Sequence, residues 1–400
     1  MMANSIFNLS DLDGTNGFAI NGINAFDSSG NSVSSAGDIN GDGLDDLIIG
    51  ASFADPNGSY SGQSYVVFGS KTPFAAQLNL STLNGTNGFA INGINENDLS
   101  GNSVSSAGDI NGDGIDDLII GAQNASPNAI ESGQSYVVFG SKGGFAAKLN
   151  LSTLNGTNGF AINGINENDY SGYFVSSAGD INSDDITDLI ISAQNADPNG
   201  NSSGQSYVVF GSKGGFAAKL NLSTLNGTNG FAINGINEND LSGRSVSSAG
   251  DINGDGIDDL IIGAYGADPN GNSSGQSYVV FGKKGGFDAQ LNLSTLNGTN
   301  GFTINGINPG DQLGISVSSA RDINGDGLDD LIIGAPNADP NASYSGQSYV
   351  VFGSKGGLSA LTSPPSTALT ALPSTVSMNL TLQAFLSAVR EISMATVLMT

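Results

Sequence analysis

The chain of 400 residues carries 37 acidic and 11 basic side chains, no histidine and no cysteine, for a formal charge of −26. Such an acidic balance opposes nucleic-acid binding, which needs a basic footprint, and the missing His and Cys exclude soft-metal centres, disulfides and the usual activated Ser or Cys nucleophiles. Glycine supplies 59 residues, about twice ordinary usage, and with Asn and Ser it punctuates short apolar runs in the manner of an all-β chain with many turns.

The N-terminus, Met1-Met-Ala-Asn-Ser-Ile-Phe-Asn-Leu-Ser10, has neither the basic nor the apolar segment of a cleavable leader. No run of about 18 apolar residues follows anywhere, so no membrane span is expected. Residues 15–354 repeat one unit five times, and Asp38, Asp109, Asp180, Asp251 and Asp322 mark it at a constant step of 71 residues. In the second unit four runs read as strands: Gly88-Phe-Ala-Ile-Asn-Gly-Ile94, Ser103-Val-Ser-Ser-Ala107, Asp117-Leu-Ile-Ile-Gly-Ala122 and Gln134-Ser-Tyr-Val-Val-Phe-Gly140. Their connections are short, so neighbours should pair antiparallel. Four antiparallel strands per unit, repeated around an axis, predict an all-β fold, a β-propeller of four-stranded antiparallel blades. The array begins on the run equivalent to 88–94, so that first strand is expected to complete the last blade and close the ring.

Between the second and third runs lies a D-x-N-x-D-G-x-x-D loop, first seen as Asp38-Ile-Asn-Gly-Asp-Gly-Leu-Asp-Asp46. Oxygen side chains at positions 1, 3 and 5 converge if the chain turns tightly, and Gly at position 6 allows the turn. Position 7 then offers its carbonyl and position 9 a carboxylate. The predicted ligands are Asp38, Asn40, Asp42, Leu44 and Asp46; Asp109, Asn111, Asp113, Ile115 and Asp117; Asp180, Asn182, Asp184, Ile186 and Asp188; Asp251, Asn253, Asp255, Ile257 and Asp259; and Asp322, Asn324, Asp326, Leu328 and Asp330. A set of hard oxygens suits Ca²⁺. The loop is not an EF-hand, because position 12 is Ile49 inside a strand-like run rather than a bidentate Glu. Metal-free Asx turns are the plainer alternative for any one loop, and five loops in register argue against it. In the third loop Ser183 and Asp185 replace two glycines, so a strained or weaker site is expected there. Without metal each loop crowds three like charges, which destabilises the apo protein.

After Gly357 the pattern stops. A Pro/Ser/Thr linker followed by an amphipathic helix is one reading. A shifted reading frame is another: permitted codons for residues 390–400, read in a second frame, give Gly-Asp-Ile-Asn-Gly-Asp-Gly-Val-Asp-Asp. The expected division is therefore 1–356 as propeller repeats and 357–400 as an aberrant tail, a frameshifted sixth repeat.

The stretch Leu99-Ser-Gly-Asn-Ser-Val-Ser-Ser-Ala-Gly-Asp-Ile-Asn-Gly-Asp-Gly-Ile-Asp-Asp-Leu-Ile-Ile-Gly-Ala122 resembles the FG-GAP repeat of integrin α-type propellers and their bacterial relatives. Gly334-Ala-Pro336 reproduces the GAP element, whereas Gly50-Ala-Ser52, Gly121-Ala-Gln123, Ser192-Ala-Gln194 and Gly263-Ala-Tyr265 depart from it. The resemblance implies a seven-bladed parent with Ca²⁺ in these loops. It also implies extracellular or cell-surface adhesion to a protein or glycan through the opposite face. On that face the repeats differ at Phe53, Tyr60, Tyr170, Tyr173, Arg244, Tyr265 and Tyr344; aromatics and Arg are common interface anchors, though drift on solvated loops would give the same variation. A purely structural surface array and a glycan-active enzyme are the alternatives. The second is disfavoured because the acids sit in repeated loops rather than in one pair.

Overall fold

The computed structural model describes residues 6–357; the aberrant tail and frameshifted sixth repeat expected at 357–400 lie, from residue 358 onward, outside the described residues. Within them the chain forms 24 strands and five 3₁₀ turns of three residues each. No helix among the described residues is long and apolar enough to cross a membrane.

One blade shows the plan. Its inner strand Ser103–Gly108 pairs antiparallel with a second strand, Asp117–Ala122. The second pairs with a third, Gln134–Val138, and the third with an outer strand, Gly159–Asn163. Beyond the outer strand lies a short strap, Lys219–Asn221, which pairs parallel with it and comes from the following repeat. The strap and the 3₁₀ turn Leu222–Thr224 are the Leu-Asn-Leu-Ser-Thr run seen in the sequence, with Leu222 buried as its anchor. The inner strands Ser32–Gly37, Ser103–Gly108, Val175–Gly179, Ser245–Gly250 and Ser316–Arg321 lie side by side, so five blades follow one another along an arc.

The core lies between blades. In one shared cluster, Ile48, Val66, Phe89 and Ile91 of the first blade meet Leu118, Ile120, Tyr136 and Val138 of the second. The intervening Ile119 points the other way, into the cluster shared with the third blade. A strand buried on both faces needs a continuous apolar run, which is why Asp117–Ala122 shows no alternation. Phenylalanines seal the outer rim of the first three interfaces: Phe89 stacks on Phe145, Phe160 on Phe216 and Phe231 on Phe287, all at 4.2 Å between centroids.

A part-buried polar relay crosses each of the first three blades and continues to the strap. Tyr136 donates to Gln134 Oε1 (2.6 Å), Gln134 Nε2 to Asn163 Oδ1 (2.5 Å), and Asn163 Nδ2 to Asn221 Oδ1 of the strap (3.0 Å). Such a chain satisfies polar groups that would otherwise be costly to bury.

The ring does not close among the described residues, contrary to the expectation from the sequence. Ala19–Asn21 pairs with the strap Gln77–Asn79 and with no third strand. The last blade has three strands, Ser316–Arg321, Asp330–Ala335 and Gln347–Val351, and no outer one. Burial follows suit. Leu47 at the first face is 40% exposed where its counterpart Leu118 is 0%, and Phe352 at the last is 54% exposed where Phe139 is 8%. The repeat pattern dictates each blade; among the described residues both end faces of the arc are uncovered.

Candidate metal centre

Each acidic loop joins an inner strand to the second strand of its blade. The inner strand ends in a bulge, where the register shifts between Ser106 and Gly108 before Gly108 meets Asp117. The Ser106 hydroxyl accepts the Gly108 N–H at 3.0 Å. The bulge turns the chain out of the sheet at position 1, Asp109, and the loop re-enters it at position 9, Asp117, the first residue of the second strand.

Inside the loop the oxygen side chains face a ring of backbone donors. Asp109 Oδ1 accepts from Asp113 N (2.9 Å) and Oδ2 from Gly114 N (2.8 Å). Asn111 Oδ1 also accepts from Asp113 N, and Asp113 Oδ1 accepts from Ile115 N. The first, fourth and fifth loops repeat this pattern. The third keeps it at Asp180 and Asp184. There Ser183 (φ 61°) and Asp185 (φ 65°) take the left-handed backbone that Gly112 (φ 72°) and Gly114 (φ 84°) take in the second loop. Residues other than glycine pay a steric penalty in that region, about 1–2 kcal/mol each for most side chains and less for Asp.

Position 9 is the buried member. Asp46, Asp117, Asp188, Asp259 and Asp330 are all fully enclosed. Asp117 Oδ2 accepts from Ile110 N (3.1 Å) and Oδ1 from Gly140 N (2.8 Å) at the end of the third strand. Burial, with Asp113 and Asp109 adding like charge, lifts the Asp117 carboxyl to about 8. The same causes lift Asp188 and Asp259 to about 8 and Asp46 to about 7. In each case the charges that reach the buried acid are negative. In the third loop the buried Asn182 Oδ1, at position 3, has no hydrogen-bond partner.

The side chains are gathered around each loop but not drawn into a tight knot: among the described residues no group of three or more acidic side chains lies close enough to hold an ion. The donor set nevertheless fits a hard cation. It is wholly oxygen, it includes a buried carboxylate surrounded by like charge, and in one loop a ligand-type oxygen is left unpaired. In that fit, positions 1, 3, 5 and 9 would hold the ion by side chain and position 7 by its carbonyl.

Position 8, which the sequence reading passed over, ties three of the loops to the following blade through an aspartate. Asp116 Oδ2 accepts the N–H of Asp38, position 1 of the preceding blade's loop, at 2.9 Å. Asp258 does the same for Asp180 (2.8 Å) and Asp329 for Asp251 (2.9 Å). Burial raises the Asp116 pKa, and the carboxylates of Asp45, Asp38 and Asp109 add to the rise. In the third blade Thr187 stands at this position, and only its backbone N–H reaches back, to Asp109 O at 3.3 Å. A second clasp comes from the turn after the third strand, where Ser141 N donates to Ile39 O at 2.9 Å. The Asp-Asp doublet that closes four of the five motifs was the available signal.

Replacing Asp117 with Ala strands the Ile110 and Gly140 N–H groups in a closed interior. At about 1–3 kcal/mol for each unpaired donor, D117A is expected to lower unfolding stability by roughly 2–6 kcal/mol in denaturant titrations. A loss within 0.5 kcal/mol of zero would show that these contacts do not brace the loop.

The opposite face carries the variable side chains. Phe53 and Tyr60 meet edge-to-face at 5.6 Å and are both exposed. Tyr344 is 73% exposed. Tyr170 donates to Glu131 Oε2 at 2.6 Å. Arg244 stands over the rings of Tyr173 (5.0 Å) and Phe174 (5.3 Å), joining two blades. Tyr265 is partly buried.

Comparison with known proteins agrees with this architecture. The profile of the FG-GAP repeat matches residues 29–67, 100–138, 171–209, 242–280 and 313–351, one inner-to-third-strand unit per blade. Phosphatidylinositol-glycan-specific phospholipase D of Dictyostelium discoideum is 29% identical over 336 residues, covering 80% of this chain and 33% of that protein. Integrin alpha-5 of Xenopus laevis is 30% identical over 188 residues, 45% of this chain and 16% of its own length. Integrin alpha-PS5 of Drosophila melanogaster is 30% identical over 240 residues, 57% and 20% respectively. The chain spans a third or less of these relatives.

Proposed function

This chain belongs to the FG-GAP repeat family, and we propose that it is a calcium-binding, non-enzymatic propeller that acts in recognition or adhesion outside the cell. The observation that carries the calcium reading is the recurrence, in every loop, of a fully buried position-9 aspartate beside two further acids. A divalent cation would offset that repulsion. Because the first, third and fourth loops are each clasped by an aspartate of the next blade, an ion bound there would stiffen the contact between blades as well as the loop itself.

The recognition reading rests on the division of labour between faces. Near-identical acidic loops occupy one end of the strands, and the unlike aromatic and Arg side chains occupy the other. An extracellular protein or glycan is the proposed partner, bound through the Arg244–Tyr173–Phe174 stack and the Phe53–Tyr60 pair. The test is to probe the full chain, in calcium, on arrays of glycans and matrix proteins, and to repeat any hit with R244A and Y173A. A weakening of about tenfold or more, as for an interface anchor, is expected. Binding that ignores both substitutions, or no binding at all, favours a structural surface array.

A further inference from the structure

The two ends of the arc are unlike, and among the described residues each lacks the strand that the other presents. In a complete blade the outer strand lies between its own third strand and the strap of the next repeat, as Gly88–Asn92 lies between Gln63–Val67 and Lys148–Asn150. At the first end, Ala19–Asn21 has its strap but no third strand. At the last end, Gln347–Val351 has its second strand but, among the described residues, no outer strand. The sequences match their paired counterparts: Gly17-Phe-Ala-Ile-Asn21 is identical to Gly88–Asn92, and Gln347–Val351 is identical to Gln63–Val67. No further Gly-Phe-Ala-Ile-Asn or Gly-Phe-Thr-Ile-Asn follows residue 305 in the sequence.

The side chains at the two ends are halves of one constellation. Tyr349 donates to Gln347 Oε1 at 3.0 Å, and there the relay stops. Asn21 Nδ2 donates to Asn79 Oδ1 at 3.0 Å, and there the relay begins. The missing link is Gln347 Nε2 to Asn21 Oδ1, the counterpart of the bond from Gln63 to Asn92. The aromatic rim divides in the same way. Phe18 stacks on Phe74 at 4.2 Å, as Phe89 does on Phe145, and the third ring of the set, Phe68 in the first blade, corresponds to the exposed Phe352. Neither edge carries a charged residue that would discourage pairing.

We propose that a second copy of this chain joins the first head-to-tail, the outer strand Ala19–Asn21 of one copy completing the last blade of the other. The joint continues the interface that already links blades within the chain: the register is Asn21 opposite Gln347 and Ala19 opposite Tyr349, by analogy with Asn92–Gln63 and Ala90–Tyr65. The contact is heterologous, so each added copy presents a fresh edge, and growth is limited only by ring closure.

The absence of cysteine makes the test direct. Full-length chains bearing A19C alone and Y349C alone are mixed in calcium under mild oxidation, with I20C and S348C as a second pair in the same register. The expected result is a disulfide-linked dimer that contains one chain of each kind and forms only in the mixture, with the unmodified protein rising to roughly twice the monomer mass or more as its concentration increases. A disulfide formed only within the A19C/Y349C double variant, with none between mixed single variants, would mean that the chain closes on itself. That outcome overturns the proposal, as does a failure of both pairs to link in protein that folds and stays monomeric at all concentrations.

Discussion

Stripping calcium with a chelator is expected to lower the thermal midpoint of this protein by about 10–20 °C. A ligand present at about 100 times its Kd stabilises the folded state by roughly 2.7 kcal/mol per site. Five such sites give on the order of 10 kcal/mol, comparable with the whole net stability of an ordinary domain, and each kcal/mol moves the midpoint of a chain this long by about 1–2 °C. The sign of the pH dependence should also change with the metal. In chelator, the buried carboxyls at Asp117, Asp188 and Asp259 bind protons up to about pH 8 when folded but only to their ordinary range when unfolded. Folding then takes up protons, so the stability these groups contribute is present at low pH and lost as pH rises toward 8. In calcium the ionised form is the one that binds, and the decline between pH 5 and 8 should flatten or reverse. Melting curves at several pH values, with and without chelator, read both effects. Superimposable curves would mean that the loops are braced by their own hydrogen bonds alone.

The second large effect is steric and needs no metal. Gly133 and Gly346 occupy equivalent positions and share a left-handed backbone, with φ +81° and +73°. A Cβ on Gly133 would fall 2.0 Å from Ser171 O and 2.3 Å from Ser171 N, both backbone atoms of the next blade. A Cβ on Gly346, in the last blade, would come no nearer than 3.3 Å to anything. G346A should therefore cost only the backbone penalty of about 1–2 kcal/mol, whereas G133A must also force two blades apart and should cost at least about 3–4 kcal/mol. Denaturant titration of the two variants separates the terms. Equal losses would show that the approach of Ser171 to Gly133 contributes nothing to stability.

The blades could be read before the structure because their signals are local and repeated. The continuous Asp117–Ala122 run, the Gln134–Val138 run and the acidic hairpin loop between inner and second strands all appear where the sequence places them. The strap could not be read. Lys148–Asn150 is a three-residue strand whose partner lies 58 residues away in a preceding repeat, and nothing local announces a parallel pairing at that distance. Closure was misjudged for a related reason: the sequence shows that Ala19–Asn21 is an outer strand, but not which edge it meets. At the loops the hard-oxygen residue types were legible, while the burial of position 9 and the clasp of Asp116 on Asp38 arise only when two blades pack. The departure at Ser183 and Asp185 was legible as strain, and the backbone there does take the left-handed form.

We propose these five loops as calcium sites. Isothermal calorimetry of calcium added to the chelator-stripped full chain tests that assignment most directly. Four or five sites per chain are predicted, with the third loop, which lacks glycine at both positions, the weakest; a titration with no heat of binding and no calcium retained on equilibrium dialysis would contradict the account.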